Sequence, residues 1–493
     1  MSGVFDGGWH QLELRSTLAV LIFVLLPLPV TLLIMLIAGA GAIPVLSTTG
    51  IWLAVAALIG AAGFYEWHFA RYRITAERFE FSRGGVFRSH RSIPRERIRA
   101  VDLTANPVQR VLRIATVKVS TGGQGGEGEI RLDAIDRAAA EEIRRGLILR
   151  ERAEAEPADG LLAELNPLWL AYSALTVSLM LVVWGAIGSV VGNAQEVLAS
   201  WGVWRELGDA FLALGLVLFA LLSVAAALLV GVVGAVLLSA EMWWGYRLTR
   251  EPGGTLRVTR GLLTTRSLSL EERRLRGVEL SEPLLLRWFR GARLNAVATG
   301  LNSTQGSDQK KQPERKTLLP PAPRTEALRV TWKVLRHSAF DVALRGHTRR
   351  ALRRRINWAL FAAVPVLLAC SALAWLGRIP VWLVVLVAVL ALAIGLGFAV
   401  DAHRNLGHGL DDRYLLARNG SGLRRTVALQ RDDIIGWRIS RTVFQRRAGL
   451  MTVGATTAAG SHIYRVHDVD TGTGLAVADE AVPGLIAPFL QRD

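Results

Sequence analysis

The sequence predicts a multi-pass α-helical membrane protein: six transmembrane helices in three hairpins, each hairpin followed by an α+β module. Three observations predict it. Apolar residues make up 51% of the 493 residues and gather in runs of the length that crosses a bilayer, about 20 residues. Nearly all basic residues fall between those runs. The polar stretches also resemble one another, so a repeat organises the chain.

The apolar runs are residues 17–40, 51–69, 168–191, 211–240, 356–376 and 381–400. The first is too long for a secretory signal, has no clean small-residue cleavage site and is followed by a second run, so it reads as an anchor. The formal net charge is +17, from 58 Lys and Arg against 41 Asp and Glu. Every Lys and Arg except Arg15, Arg205 and Arg378 lies in residues 71–160, 246–355 or 403–493. Basic flanks resist translocation. Both termini and all three modules are therefore expected on the cytoplasmic side. The order is an N-terminal tail (1–16), the first hairpin (17–70) and module one (71–156). The second hairpin (157–245) leads to module two (246–340), which carries a flexible polar insertion (301–317). A basic juxtamembrane segment (341–355), the third hairpin (356–402) and a divergent module three (403–493) complete the chain. The one cysteine, Cys370, lies inside an apolar run. That excludes an intrachain disulfide and a cysteine-rich metal site.

The repeat is visible residue by residue. Copy one reads "YRIT…RGGVFRSHRSIPRERIRAVDL" from Tyr72, copy two "YRLT…TRGLLTTRSLSLEERRLRGVEL" from Tyr246, and copy three "YLLARNGSGLRRTVALQRDDIIGWRIS" from Tyr414. Ile93, Leu270 and Leu429 correspond, as do Ile98, Leu275 and Ile434, then Val101, Val278 and Trp437. Within each copy the apolar period is mostly two, the signature of strands. Gly84-Gly85 predicts a hairpin; Ile114–Ser120 and Glu129–Asp133 predict strands. A helix is expected over Asp136–Glu156 with Asp136 as its N-cap. Its counterparts are Arg324–Arg336 and Ala481–Leu490. Several strands followed by one helix suggest a small barrel or sandwich closed by a terminal helix.

The leading Tyr-Arg-Ile/Leu-Thr, the Arg-Gly hairpin, the "IPRERI" segment, the Asn106-Pro107 turn and the strand ending in Thr-Gly resemble the bacterial pleckstrin-homology-like (PH-like) domain of the second type. Three hairpins carrying three such domains are similar to the YdbT-like membrane proteins. Copy three departs from the pattern in lacking the Asn-Pro turn. The resemblance implies PH-like barrels, a place in the bacterial cytoplasmic membrane and binding faces in place of a catalytic cleft. It also implies a partner, a smaller membrane protein with one PH-like domain, and a role in envelope stress or resistance to membrane-active agents.

No enzyme motif is present, and no cofactor is expected. The Gly-rich Ser120–Ile130 lacks the Gly-Lys-Ser/Thr ending of a phosphate loop and precedes a strand. His403 and His408 lie near Asp401, Asp411 and Asp412 without a recognised ligand spacing. His462 and His467 read as unrelated surface residues. The binding candidates are two basic clusters suited to anionic lipid headgroups. One is Arg88, Arg91, Arg95, Arg97 and Arg99; the other is Arg349, Arg350, Arg353, Arg354 and Arg355. Positive-inside topology alone would also explain the second cluster. No aromatic residues interleave the arginines, which argues against nucleic acid. Glu66, Glu241 and Asp401 close the second helix of each hairpin. With Trp67, Tyr72, Trp243, Trp244 and Tyr246, the first two form a junction between domain and membrane. They are read as an interfacial belt or, more sharply, as locks between helix end and domain. The competing function is a transporter or channel component with the six helices as its working part. Against it, the spans hold few polar residues.

Overall fold

The computed structural model describes residues 7–37, 39, 41–85, 88–98, 100–121, 129–148, 160–299 and 316–489. Arg99, residues 122–128 of the Gly-rich stretch, residues 149–156 of the expected helix and residues 301–315 of the insertion lie outside them. The described residues up to 273 form one compact unit and those from 274 onward a second.

The first unit opens with β1 (His10–Gln11) and three apolar helices, α1 (Arg15–Leu25), α2 (Pro27–Ile37) and α3 (Ala42–Phe69). Copy one follows as β2 (Arg71–Ile74), β3 (Arg78–Arg83), β4 (Ser89–Pro94), β5 (Ala100–Ala105), α4 (Pro107–Val111), β6 (Ile114–Ser120), β7 (Glu129–Asp136) and α5 (Arg137–Ile148). Next come β8 (Gly160–Glu164), the helices α6 (Trp169–Ala174), α7 (Val177–Asn193), α8 (Gln195–Ser200) and α9 (Val203–Trp243), and the first half of copy two, β9 (Arg247–Glu251), β10 (Thr255–Arg260) and β11 (Thr265–Glu271).

The second unit holds the rest of copy two: β12 (Leu275–Pro283), α10 (Leu284–Trp288), β13 (Gly291–Ala298), β14 (Thr317–Pro323) and α11 (Arg324–Leu335). The apolar helices α12 (Arg349–Trp375) and α13 (Val381–Arg404) lead into copy three. Its elements are β15 (Gly407–Leu410), β16 (Tyr414–Asn419), β17 (Leu423–Gln430), β18 (Gly436–Ser440), α14 (Val443–Arg447), β19 (Leu450–Thr456), β20 (Ile463–Asp470) and α15 (Thr471–Ala481).

Copy one shows how alternation builds a core. Tyr72, Phe79, Phe81 and Ile93 project from β2–β4, and Val117 and Leu132 from β6 and β7, into one cluster. Helix α5 closes it with Ala140, Ile143 and Leu147. The expected helix N-cap holds: Asp136 Oδ2 accepts from Ala138 N at 2.9 Å.

The copies are not independent domains. The last three strands of each copy form a half-sheet whose first strand would be an open edge. In copy one that edge is β5, and it pairs antiparallel with β11 of copy two, from Ala105↔Thr265 to Ala100↔Leu270. One seven-stranded sheet results, ordered β7-β6-β5-β11-β10-β9-β8. In copy two the edge is β12, and it pairs with β17 of copy three, from Gly277↔Leu429 to Pro283↔Leu423, in a sheet ordered β14-β13-β12-β17-β16-β15. Each joint satisfies a row of backbone donors and acceptors that an edge would leave open. The second joint needs glycine at 277, where a Cβ would stand 2.0 Å from Ala428 O.

Among the described residues, five helical runs are long and apolar enough to cross a membrane: Arg15–Leu33, Ala42–Phe69, Val203–Trp243, Arg349–Trp375 and Val381–Arg404. The expected span over 168–191 departs from this. It is broken at Leu175-Thr176 into α6 and the 17-residue α7. A buried hydrogen bond between Ser239 Oγ and Ser173 Oγ ties α6 to α9 beside the break. Two expectations for copy three also change. Tyr414 opens its second strand, because β15 precedes it; "GHGL" carries no β-branched or aromatic residue to announce a strand. Its terminal helix is Thr471–Ala481, ten residues earlier than expected. Two glycines hide it in sequence, and burial of Val477, Ala478 and Ala481 holds it.

Candidate functional site: where apolar helices meet the sheets

Each apolar helix that leads into a copy ends one to three residues before the first strand, so its last side chains meet the sheet's hairpin. At α3, Tyr65 Oη accepts from Gly85 N at 3.2 Å, and the Glu66 carboxylate lies 3.5 Å from Arg83. A Cβ at Gly85 would stand 2.8 Å from both Tyr65 Oη and Phe69 Cζ, so a larger residue here would displace these two rings. Trp67 Nε1 donates to Leu12 O at 2.9 Å, and Tyr72 is buried in the copy-one core. At α9, Glu241 Oε1 accepts from Thr264 N at 3.2 Å, while Glu241 O and Trp244 O accept from Leu262 N and Gly261 N at 2.8 Å each. Trp243 is buried under the Arg260 guanidinium, 4.1 Å from the ring centroid, and Tyr246 meets it edge-on. Burial pushes the Tyr246 hydroxyl well above its ordinary range. Trp244 is exposed. At α13, Asp401 accepts from Arg287 and, at 3.1 Å, from Gly422 N; Asn405 Nδ2 donates to Gly420 O at 3.1 Å.

The three carboxylates thus touch the same hairpin in successive copies with unequal strength. Glu66 and its arginine are largely exposed, an arrangement worth at most about 1 kcal/mol. Asp401 and Arg287 are mostly buried and share further hydrogen bonds. Asp401→Ala is expected to cost about 2–3 kcal/mol, Glu241→Ala about 1 kcal/mol and Glu66→Ala less. Limited proteolysis of the purified protein at the three hairpins checks the order. Equal protection in all three variants would refute it.

The basic clusters separate in the same way. Arg88, Arg91 and Arg97 are exposed. Arg95 is turned inward, donating to Gly146 O at 2.5 Å and to Thr75 O and Ala76 O at 3.4 Å, so it ties α5 to the β2–β3 turn. Arg349, Arg350 and Arg353 are exposed on the first turns of α12. Arg354 and Arg355 instead converge on Asp468, which is 1% exposed, at 2.5 and 3.2 Å; Gln445 Nε2 donates to the same carboxylate at 2.9 Å.

Three histidines border this node. His347 Nε2 and His408 Nδ1 lie 3.1 Å apart, and His347 Nδ1 is 3.2 Å from Asp468 O. Burial, with His347 and Arg345 nearby, draws His408 down to about 4. Burial also lowers His347 and His467, so the trio is neutral near pH 7. His408 and His467 are therefore packed groups, where the sequence placed a polar connector and a surface residue. Among the described residues no group of three or more His, Cys, Asp or Glu could hold a metal ion.

The short helices α4, α10 and α14, which follow the same strand in each copy, are not expected from the sequence pattern. Each packs beside a joint or an apolar helix and exposes apolar side chains. These are Val111 at the end of α4, Trp288 (66% exposed) at the end of α10 with Phe289 (60% exposed) just after it, and Val443 and Phe444 on α14. Arg287, next to Trp288, is bonded to Asp401 and Asn405 at the end of α13. The available signal was "LLLRWFR", two aromatics between arginines after a proline.

The chain matches the bacterial PH domain family three times, over residues 19–151, 209–331 and 358–480. It is 23% identical over 462 residues to the UPF0699 transmembrane protein YdbT of Bacillus subtilis (strain 168), covering 86% of this chain and 85% of that protein. No solved structure matches.

Proposed function

Because the chain belongs to the bacterial PH domain family, we propose that it is a non-enzymatic membrane protein whose repeated modules engage anionic lipid headgroups at the inner face of the membrane. The observation that supports this reading best is α10. Its last residue Trp288 and the following Phe289 stand exposed while the adjacent Arg287 is bonded to the end of the apolar helix α13. Aromatic rings beside the end of a spanning helix sit where headgroups meet acyl chains, and neighbouring arginines attract anionic lipid. In copy one the exposed Arg88 and Arg97 serve the same end from the hairpin and the turn after β4.

The test uses the full-length protein in bilayers containing spin-labelled phosphatidylglycerol or phosphatidylcholine. Arg88→Glu/Arg97→Glu is expected to lower the preference for the anionic lipid by about fivefold per arginine, from about 1 kcal/mol each. Trp288→Ser/Phe289→Ser is expected to reduce the immobilised fraction of both lipids alike. An unchanged preference in the first variant would defeat the lipid assignment.

A further inference from the structure

The repeat joins its copies at one kind of edge, and among the described residues the last such edge has no partner strand. Strand β18 holds the place in copy three that β5 and β12 hold in copies one and two, and it ends its sheet, ordered β18-β19-β20. Burial reflects the difference. β12, covered by β17, is buried along most of its length, whereas Arg438, Ile439, Ser440 and Arg441 are all exposed. Ile435, just before the strand, is 68% exposed and Ile439 is 41% exposed. A row of backbone groups flanked by apolar side chains is a template for another strand.

The charges decide what that strand can be. At the β12–β17 joint the receiving strand is acidic and the added strand basic. Arg424 makes a two-pronged bond to Glu282 at 2.7 and 2.6 Å, and Arg425 lies 4.0 Å from Glu279. Copy one has Asp102 at the place of Glu279. Along β18 and the residue after it the sign is reversed: Arg438 stands at the place of Glu279 and Arg441, just past the strand, at that of Glu282. A second copy of this chain would have to offer β4, the strand equivalent to β11 and β17. In the β12–β17 register, Arg91 would then face Arg438 and Arg88 would face Arg441. Like charges directly opposite destabilise a strand pair, so the edge rejects its own chain.

We infer that β18 is the docking edge for an acidic β-strand of a different protein, added antiparallel, with carboxylates opposite Arg438 and Arg441 and an apolar residue beside Ile439. This goes beyond lipid contact and stands without it.

The experiment uses the full-length protein in nanodiscs of zwitterionic lipid, which removes lipid charge from the comparison. The probes are synthetic eight-residue strands patterned on Leu423–Gln430, with glutamate at the places of Arg424 and Val427 or with lysine at both. The glutamate strand is expected to bind at least tenfold more tightly. The Arg438→Glu/Arg441→Glu protein is expected to reverse that order. Methylating the outward backbone nitrogens of the glutamate strand should abolish binding while keeping its charge, which distinguishes strand addition from attraction to a basic protein. The inference is overturned by no binding, by equal binding of both strands, or by indifference to methylation. A photo-crosslink from position 439 to residues 88–94 of a second copy would also overturn it.

Discussion

Asp468→Ala is expected to lower the unfolding temperature of the second unit by roughly 6–12 °C, from a loss of about 3 kcal/mol. Asp468 takes hydrogen bonds from Arg354, Arg355 and Gln445 while almost wholly buried. Removing the carboxylate leaves two guanidinium groups of α12 half-buried without a counter-charge, and that penalty exceeds the value of the bonds themselves. It also detaches β20 from the first turns of α12, so residues 463–481 should become the earliest protease target. Asp468→Asn separates the two contributions. Asparagine tolerates the left-handed backbone found here, with φ 56°, and keeps an acceptor for Gln445. If Asp468→Asn is as stable as the unaltered protein by thermal unfolding in detergent, charge compensation is not what holds the node.

That node shows where a sequence reading stops. "RRALRRRINW" reads first as positive-inside topology and only second as a headgroup-binding run. The division into exposed Arg349, Arg350 and Arg353 and inward Arg354 and Arg355 depends on a partner more than 100 residues away. The same holds for Arg95, which the pattern groups with Arg88 and Arg97 and the fold turns onto the carbonyl of Gly146.

Local signals carried further. The β6 strand runs from Ile114 to Ser120 as its alternation predicts, and the hairpin turns at Gly84 with φ 87°. The Arg324 helix start and the Asp136 cap also follow from residues within one turn. What alternation cannot supply is the neighbour of a strand. It marks which face is buried, and β5 is half-buried whether its edge meets water or β11. The joints between copies were therefore invisible, although the repeat itself was plain. They change how the protein can be dissected: residues 71–156 cut out alone would uncover the β5 edge, and a binding measurement on that fragment would sample a surface the whole chain does not present.

Arg144→Met is expected to weaken the joint between copies one and two by about 3–5 kcal/mol. Arg144 belongs to α5 of copy one, yet it is 1% exposed and reaches across to copy two. It donates to Glu251 Oε2 and Oε1 at 2.9 and 3.1 Å and to Ser269 Oγ at 3.0 Å, while also holding Glu141 Oε1 at 2.7 Å. Arg257 bridges the same two carboxylates at 3.1 and 3.2 Å. The two inward arginines therefore balance two glutamates, with the largely exposed Arg145 3.6 Å from Glu141 at the rim, and removing Arg144 leaves an excess of negative charge among the mostly buried groups. Arg144→Met/Glu251→Gln restores neutrality and is expected to recover most of the loss. A double variant no better than Arg144→Met would show that packing, not charge, was lost. Acid provides an independent reading. Burial alone would raise the Glu141 carboxyl, but the hydrogen bond and charge of Arg144, with Arg257 and Arg145, hold it below its ordinary 4.5. A carboxyl lowered by folding contributes stability that is present above its unfolded value and lost as pH falls through its folded value. The unaltered protein should therefore lose stability below about pH 4.5 more steeply than Arg144→Met, measured by thermal unfolding across pH 3 to 7.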